Sequence, residues 1–152
     1  MAEVLHLFQS VAHGEPVREF EVVHALEDKG FRECVHGRSG SGRQVLMMDI
    51  ETLEEFDIPP GSAKENITTR GVDLSELSLG QRIRVGEALL EITKPCEPCH
   101  QMEKIRAGLQ EALRGRRGIL CRVVESGKIR RGEQIEIVEP LTSAKAGPQD
   151  QA

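Results

Sequence analysis

The chain has no tryptophan, no tyrosine and only four phenylalanines. Proteins that hold single-stranded nucleic acid stack the bases on such rings, and that platform is missing. A positive surplus is missing too: 20 Lys and Arg against 25 Asp and Glu leave a net charge of −5. Such a molecule has no overall field that draws in a polyanion, so no nucleic-acid partner is expected. No apolar run approaches the roughly 18 to 20 residues that a membrane-crossing helix needs. The opening MAEVLHLFQS carries no Lys or Arg ahead of its short apolar stretch, which is not the pattern of a secretory leader. Four cysteines in this setting are expected to be free thiols or ligands and not a disulfide framework. The expectation is a cytoplasmic protein with no membrane attachment.

What is present suits one domain, 152 residues long, with 38% apolar residues. Short β-prone runs recur along it: Val4 to Val11, Arg18 to Leu26, Val45 to Ile50, Ile67 to Thr69, Ala88 to Thr93, Gly118 to Val124 and Ile135 to Val138. The sequence HGRSGSGR at 36 to 43 is too rich in Gly and Ser for regular structure. Asp49 is placed to cap a short helix that carries Leu53 and Phe56, and Asp73 to Leu77 reads as one helical turn. Met102, Ile105, Leu109 and Leu113 recur at spacings of three and four, which predicts one continuous helix with an apolar face. An Ile-Arg-x-Gly-Glu turn occurs twice, at 83 to 87 and 129 to 133, each time leading into a strand. Many short strands with one substantial helix imply a mainly β fold, a barrel with helical decoration. The domain is expected to span 1 to 139, with a disordered tail over 140 to 152.

The chemistry concentrates in KPCEPCHQMEK, residues 94 to 104. A helix starting near Pro98 would put Cys99 in its first turn, where unpaired backbone N–H groups favour a thiolate. Lys94 and Lys104 add positive charge nearby, and Cys96 is a natural second thiol. Three alternatives remain at this level. The pair can serve as thiols for a cofactor or a carried group. It can be a dithiol redox centre, since a strand followed by CxxC at a helix start is also a redox arrangement. Or it can be half of a zinc site completed by Cys34 and His36. Around it lie possible anion ligands: Arg38 and Arg43 on the Gly/Ser loop, Arg70 after Thr68 and Thr69, and Arg114, Arg116 and Arg117 after the helix. His36 and His100 can each reach a site, and Asn66 offers an amide beside the threonines.

The run KENITTRGVDLSELSLGQRIRVGEALLEITKPCEPCHQM, followed by LRGRRGILCRVVESGKIRRGEQIEI, resembles the core of the MOSC family. That family is named for the C-terminal domain of molybdenum cofactor sulfurase. Its pattern runs GEN-x-T-T-x-G-x-D-L, then x-G-x-A-x-L-x-[IV]-T and x-P-[CR]-x-P-C, and the resemblance covers about residues 65 to 138. It implies a pyruvate-kinase-barrel-like β-barrel and a functional cysteine at Cys99, both as the reactive thiol and as a ligand to molybdenum. It also implies that Asn66, Thr68, Thr69, Arg116 and Arg117 suit the phosphate and pterin of molybdenum cofactor. Arg70, His36 and the second thiol Cys96 are carried with them as candidates. Two family roles follow. In one, Cys99 carries persulfide sulfur received from a pyridoxal-phosphate-dependent cysteine desulfurase, for a molybdoenzyme or a cofactor biosynthesis partner. In the other, the domain binds molybdenum cofactor and reduces N-hydroxylated compounds with electrons from a separate donor. No flavin, haem or iron–sulfur segment stands in the chain, which favours sulfur or cofactor handling. The sequence departs from the family pattern at three places: Lys64 replaces the Gly of GEN, Glu33-Cys34 replaces the Gly-Asp before His36, and Cys96 stands where many relatives have Arg.

Overall fold

The computed structural model describes residues 1–138, so the tail expected over 140–152 lies outside the described residues. Among the described residues eleven strands form two sheets: β1 Glu3–Gln9, β2 Arg18–Glu19, β3 Val22–Leu26, β4 Gly30–Phe31, β5 Val45–Asp49, β6 Ile67–Arg70, β7 Arg82–Val85, β8 Ala88–Pro95, β9 Ile119–Glu125, β10 Gly127–Arg130 and β11 Ile135–Val138. The larger sheet has the order β11-β7-β8-β9-β5-β6-β1-β2, and the smaller β10-β3-β4. Only β5 and β6 pair in parallel among these neighbours. The larger sheet curls until β1 meets the residues leading into β11. Val4 donates its N–H to the Glu133 carbonyl at 2.8 Å, Gly132 donates to Val4 at 2.7 Å, and Ile135 donates to Ala2 at 2.9 Å. A barrel-like closure of this kind covers the edges that β1 and β11 would otherwise show.

The apolar pattern explains the two layers of core. Within β5, Val45 and Met47 face the barrel interior with Ile67, Ile83, Leu90 and Ile92. Met48 faces the other way, into a second cluster with Leu53, Ile58, Ala63, Met102, Leu109 and Leu113. A strand buried on both faces reads as an uninterrupted apolar run, which is what VLMM shows. The short helix α1, Ile50–Glu55, starts where Asp49 accepts the N–H and the hydroxyl of Thr52 at 3.1 and 2.7 Å. Asp73 does the same for a single 3-10 turn at Leu74–Glu76, accepting from Ser75.

Two expectations need correction. The helix after the cysteines is not continuous: α2, Gln101–Ile105, and α3, Leu109–Ala112, are separate. Arg106 is extended and Gly108 has φ of +87°, a left-handed conformation that glycine adopts without a Cβ clash. Glu103 stabilises the break, because its carboxylate accepts the N–H groups of Gly108 and Gln110, each at 2.9 Å. The apolar spacing survives the break, since Met102, Leu109 and Leu113 all stay buried in one cluster. The run Arg18 to Leu26 is also two strands, β2 and β3, in different sheets.

The repeated turns interlock. Glu87 accepts the N–H of Lys128, and Glu133 accepts that of Arg130. The fit is close enough that a Cβ at Gly86 would stand 2.6 Å from the Glu133 carboxylate. Glu87 thus ties the first turn to the residue before the second, Glu133 braces its own turn and packs on Gly86, and β11 docks beside β7 with Ile135 opposite Val85.

Candidate functional site

The cysteine segment links the end of β8 to the start of α2. Cys96 still belongs to the sheet in its backbone, donating to the Gly118 carbonyl at 2.9 Å, and its side chain is buried. Cys99 comes three residues later and is exposed. It does not lie inside the first helical turn. α2 begins at Gln101, and the Cys99 carbonyl accepts the Met102 N–H at 2.9 Å. A helix of five residues also sums few peptide dipoles, so the helix-end argument for a thiolate at Cys99 loses most of its force. What distinguishes Cys99 is access. Cys34, Cys96 and Cys121 are all buried. Cys121 is fully enclosed, and burial pushes its thiol far up.

Burial also pushes the Cys96 thiol up, while the positive charges of Arg117 and Arg43 pull it down; Cys99 and Glu97 add smaller upward contributions. Cys96 is therefore held as a neutral thiol in a pocket that contains positive charge. Arg117 is the unusual member. Its side chain is buried, with one guanidinium nitrogen donating to the Ala63 carbonyl at 2.7 Å and another 3.9 Å from the Met48 sulfur. Its Nε has no partner, and none of the ion pairs among the described residues includes it. A buried cation without a counter-ion is costly unless something else supplies negative charge.

The remaining candidates fall into separate places. Arg116 turns away from Arg117 and grips Glu55 with two bonds of 2.8 and 2.9 Å, its guanidinium 5.3 Å from the Phe56 ring centre. Arg70 pairs with Glu3 on the surface at 3.0 Å. Asn66 braces the backbone, accepting from Leu46 at 2.9 Å and donating to Phe8 at 3.2 Å. Thr68 donates its hydroxyl to Glu65 at 2.7 Å, and Thr69 is buried with its hydroxyl unpaired. His36 packs edge-on against His13 at 5.6 Å. Its pKa lies below the ordinary value, first through burial, then through the charges of His13 and Lys64. Among the described residues no three His, Cys, Asp or Glu side chains gather where they could hold a metal, so the four-ligand zinc arrangement is not assembled.

Sequence reasoning passed over two residues that shape this region. Glu65 is fully buried and accepts from both Gly61 N–H and Thr68, fixing the turn before β6. Thr93 reaches the carbonyls of Gly42 and Leu120, tying the Gly/Ser loop to β8 and so holding Arg43 in the neighbourhood of Cys96. Glu65 is legible as the middle of the GEN position and Thr93 as the threonine that closes the x-L-x-[IV]-T pattern, but neither pattern says which backbone groups they hold.

Separately, a cleft of about 940 Å³ opens at one end of the barrel. Arg116, Asp49 and Asp73 line it, while Cys96, Cys99, His36, Asn66 and Arg117 do not.

Comparison with known proteins places this arrangement among relatives. Residues 36–136 match the family model of the MOSC domain. The uncharacterized protein YflK of Bacillus subtilis is 28% identical over 79 residues, covering 49% of this chain and 35% of YflK, so the match spans about a third of that relative. The solved YuaD protein of B. subtilis superposes with a TM-score of 0.78 at 21% identity, covering 90% of this chain and 94% of YuaD. YiiM from Geobacillus stearothermophilus gives 0.72 at 19% identity, covering 94% and 78%. YiiM from Escherichia coli gives 0.70 at 20%, covering 94% and 72%. These structural likenesses establish a shared fold.

Proposed function

The chain belongs to the MOSC domain family, and from that premise we propose that it handles sulfur or molybdenum cofactor through Cys99. The observation that carries the reading is that Cys99 is the exposed thiol among four, next to a buried thiol and an unpaired buried arginine. As a sulfur carrier, the Cys99 thiolate attacks the outer sulfur of a donor persulfide. That sulfur–sulfur bond breaks, the donor leaves as a thiolate, and Cys99 holds the sulfur as a persulfide for an acceptor. A pyridoxal-phosphate-dependent cysteine desulfurase is the class of donor this requires. Cys96 can end the cycle by attacking Cys99 Sγ, releasing hydrogen sulfide and leaving a Cys96–Cys99 disulfide. Its burial holds Cys96 protonated, which slows that attack and lengthens the life of the persulfide.

The unpaired Arg117 favours a second reading at the same site, the binding of molybdenum cofactor. The orphaned Nε and uncompensated guanidinium suit an anionic group, and Cys99 supplies a soft ligand for the metal. Bound there, the cofactor would contribute two-electron redox chemistry at molybdenum, and electrons for reducing an N-hydroxylated compound would come from a separate protein. Cys99 would ligate, and Arg117 with Arg43 would offset negative charge. Arg116 and Arg70 are engaged by Glu55 and Glu3, so they are weaker anion ligands than their position in the sequence implies.

One experiment separates these readings. The protein is purified anaerobically from molybdenum-replete cells, and its metal content and intact mass are measured. A gain of one sulfur atom, lost on reduction and mapped to Cys99, supports the carrier. Stoichiometric molybdenum with a pterin supports the cofactor reading. Neither signal in the wild type, or either signal persisting in Cys99→Ser, overturns the assignment of Cys99.

A further inference from the structure

The turn before β6 is gripped from two sides. Glu65 is fully buried, and its Oε2 accepts the Gly61 N–H at 2.9 Å and the Thr68 hydroxyl at 2.7 Å. Inside the same turn the Lys64 N–H donates to the Gly61 carbonyl at 3.0 Å. These bonds fix the direction of the Ala63 carbonyl, which accepts a guanidinium N–H of Arg117 at 2.7 Å. That carbonyl is the one oxygen that holds the Arg117 side chain among the described residues. The other terminal nitrogen of Arg117 lies 3.9 Å from the Met48 sulfur. Met48 is the register partner of Thr68, so the side chains that meet Arg117 and Glu65 leave the sheet on one face.

The backbone sets Arg117 against the cysteine segment. Cys96 donates its N–H to the Gly118 carbonyl at 2.9 Å, and Pro95 is the register partner of Ile119. A Cβ at Gly118 would stand 2.4 Å from the Met47 carbonyl, so the chain next to Arg117 lies hard against β5. The Cys96 and Arg117 side chains are both buried beside this crossing. Burial raises the pKa of the Cys96 thiol, and Arg117 leads the charges that oppose it.

We infer that Glu65 is a positioning residue for the cysteine pair. By closing the 61–65 turn it aims the Ala63 carbonyl at Arg117, and so holds the guanidinium where it stabilises the anionic sulfur of Cys96 as that sulfur attacks Cys99. The inference rests on the reading of Cys99 as the working thiol and Cys96 as its resolving partner. Burial of Cys96 lengthens the life of a Cys99 persulfide, while Glu65 and Arg117 shorten it.

The test follows the reaction of the native full chain with 5,5′-dithiobis(2-nitrobenzoate). The Cys99 thiolate attacks the reagent and releases one nitrothiobenzoate. Cys96 then loses its proton to solvent and attacks Cys99 Sγ, and the second nitrothiobenzoate leaves as a thiolate. The product is a Cys96–Cys99 disulfide, identified by peptide mass. Arg117→Met keeps the bulk and removes the charge, a change that buried cations commonly tolerate. It is expected to cut the Cys96 thiolate population by about ten- to hundredfold and to raise its nucleophilicity by about the square root of that. The second release then slows by about three- to tenfold, with the first unchanged. Arg117→Lys should recover part of the rate. Thr68→Val, which removes one donor to Glu65, should slow the second release, and Glu65→Gln, which keeps an oxygen able to accept both bonds, should stay close to wild type. A merely structural role would have the opposite sign, since a loosened fold exposes Cys96 and lets Cys34 and Cys121 react as well. A wild-type second rate in Arg117→Met or in Thr68→Val, a Glu65→Gln variant as slow as Arg117→Met, or more than two thiols reacting in the variants overturns the inference. A first release that persists in Cys99→Ser refutes the reading of Cys99 instead, so the two failures are distinct.

Discussion

Lys64 occupies a position that the family pattern gives to glycine, and its backbone shows why: φ is +62°, in the left-handed region. There the Cβ of an L-residue crowds the following carbonyl, at roughly 1 to 2 kcal/mol. Replacing it with glycine removes that strain, while the extra freedom of glycine in the unfolded chain takes back about 0.4 to 1 kcal/mol. The Lys64 N–H donates to Gly61 at 3.0 Å and survives the change, and the side chain is exposed. Lys64→Gly is therefore expected to gain about 0.5 to 1 kcal/mol. For a chain of this size that is a rise of about 1 to 4 °C in melting temperature. Urea unfolding followed by circular dichroism measures the first and calorimetry the second. The same variant removes a positive charge that acts on His36, so the His36 pKa should move up towards its usual value, read from its ring proton signals against pH. A fall in stability would refute the reasoning, since it would mean that the lysine side chain contributes more than its backbone strain costs. An unmoved His36 would refute the electrostatic half.

Three further outcomes are expected. In the native protein, a bulky disulfide reagent should label one thiol, and Cys99→Ser should abolish that labelling, while denaturant should expose all four thiols of the wild type. His36 has a lowered folded-state pKa, so the unfolded chain, with His36 near 6.5, binds more protons in the window between the two values. Its contribution to stability is complete above about pH 6.5 and is lost as pH falls through the folded value, and His36→Asn should flatten the urea midpoint across that window. Thr93→Val should cost about 1 to 2 kcal/mol and speed hydrogen exchange in residues 37 to 43, because it releases Gly42 from β8.

The short elements were legible where their cause is local. Asp49 and Asp73 announce helical turns because an aspartate just ahead of a turn can take the unpaired N–H groups, and both do so here. The run VLMM showed a strand buried on both faces because that condition leaves no alternation to interrupt it. The break between α2 and α3 was not legible, because apolar spacing reports which residues are buried and says nothing of the backbone between them. Glu103 reaching forward to Gly108 and Gln110 is a local contact, but it competes with an equally good helix, and packing decides. In the candidate site, the cysteines stood out from their own spacing. Arg116 and Arg117 did not separate in sequence, since neighbours in a chain share no rule about direction. Only Glu55 and Phe56 on one side, and Ala63 and Met48 on the other, set them apart.

The contacts that close the barrel join the first strand to residues 132–135, near the far end of the domain. β1 therefore cannot complete its pairing until almost the whole domain has been synthesised. A chain emerging from the ribosome can build the hairpin of β7 and β8 early, but it carries an unpaired β1 edge for most of its synthesis. Closure over so long a loop makes for slow folding and a late commitment. A nascent chain stalled before Gly132 would expose a pairing edge on both β1 and β7, the kind of surface that recruits chaperones or other copies of itself.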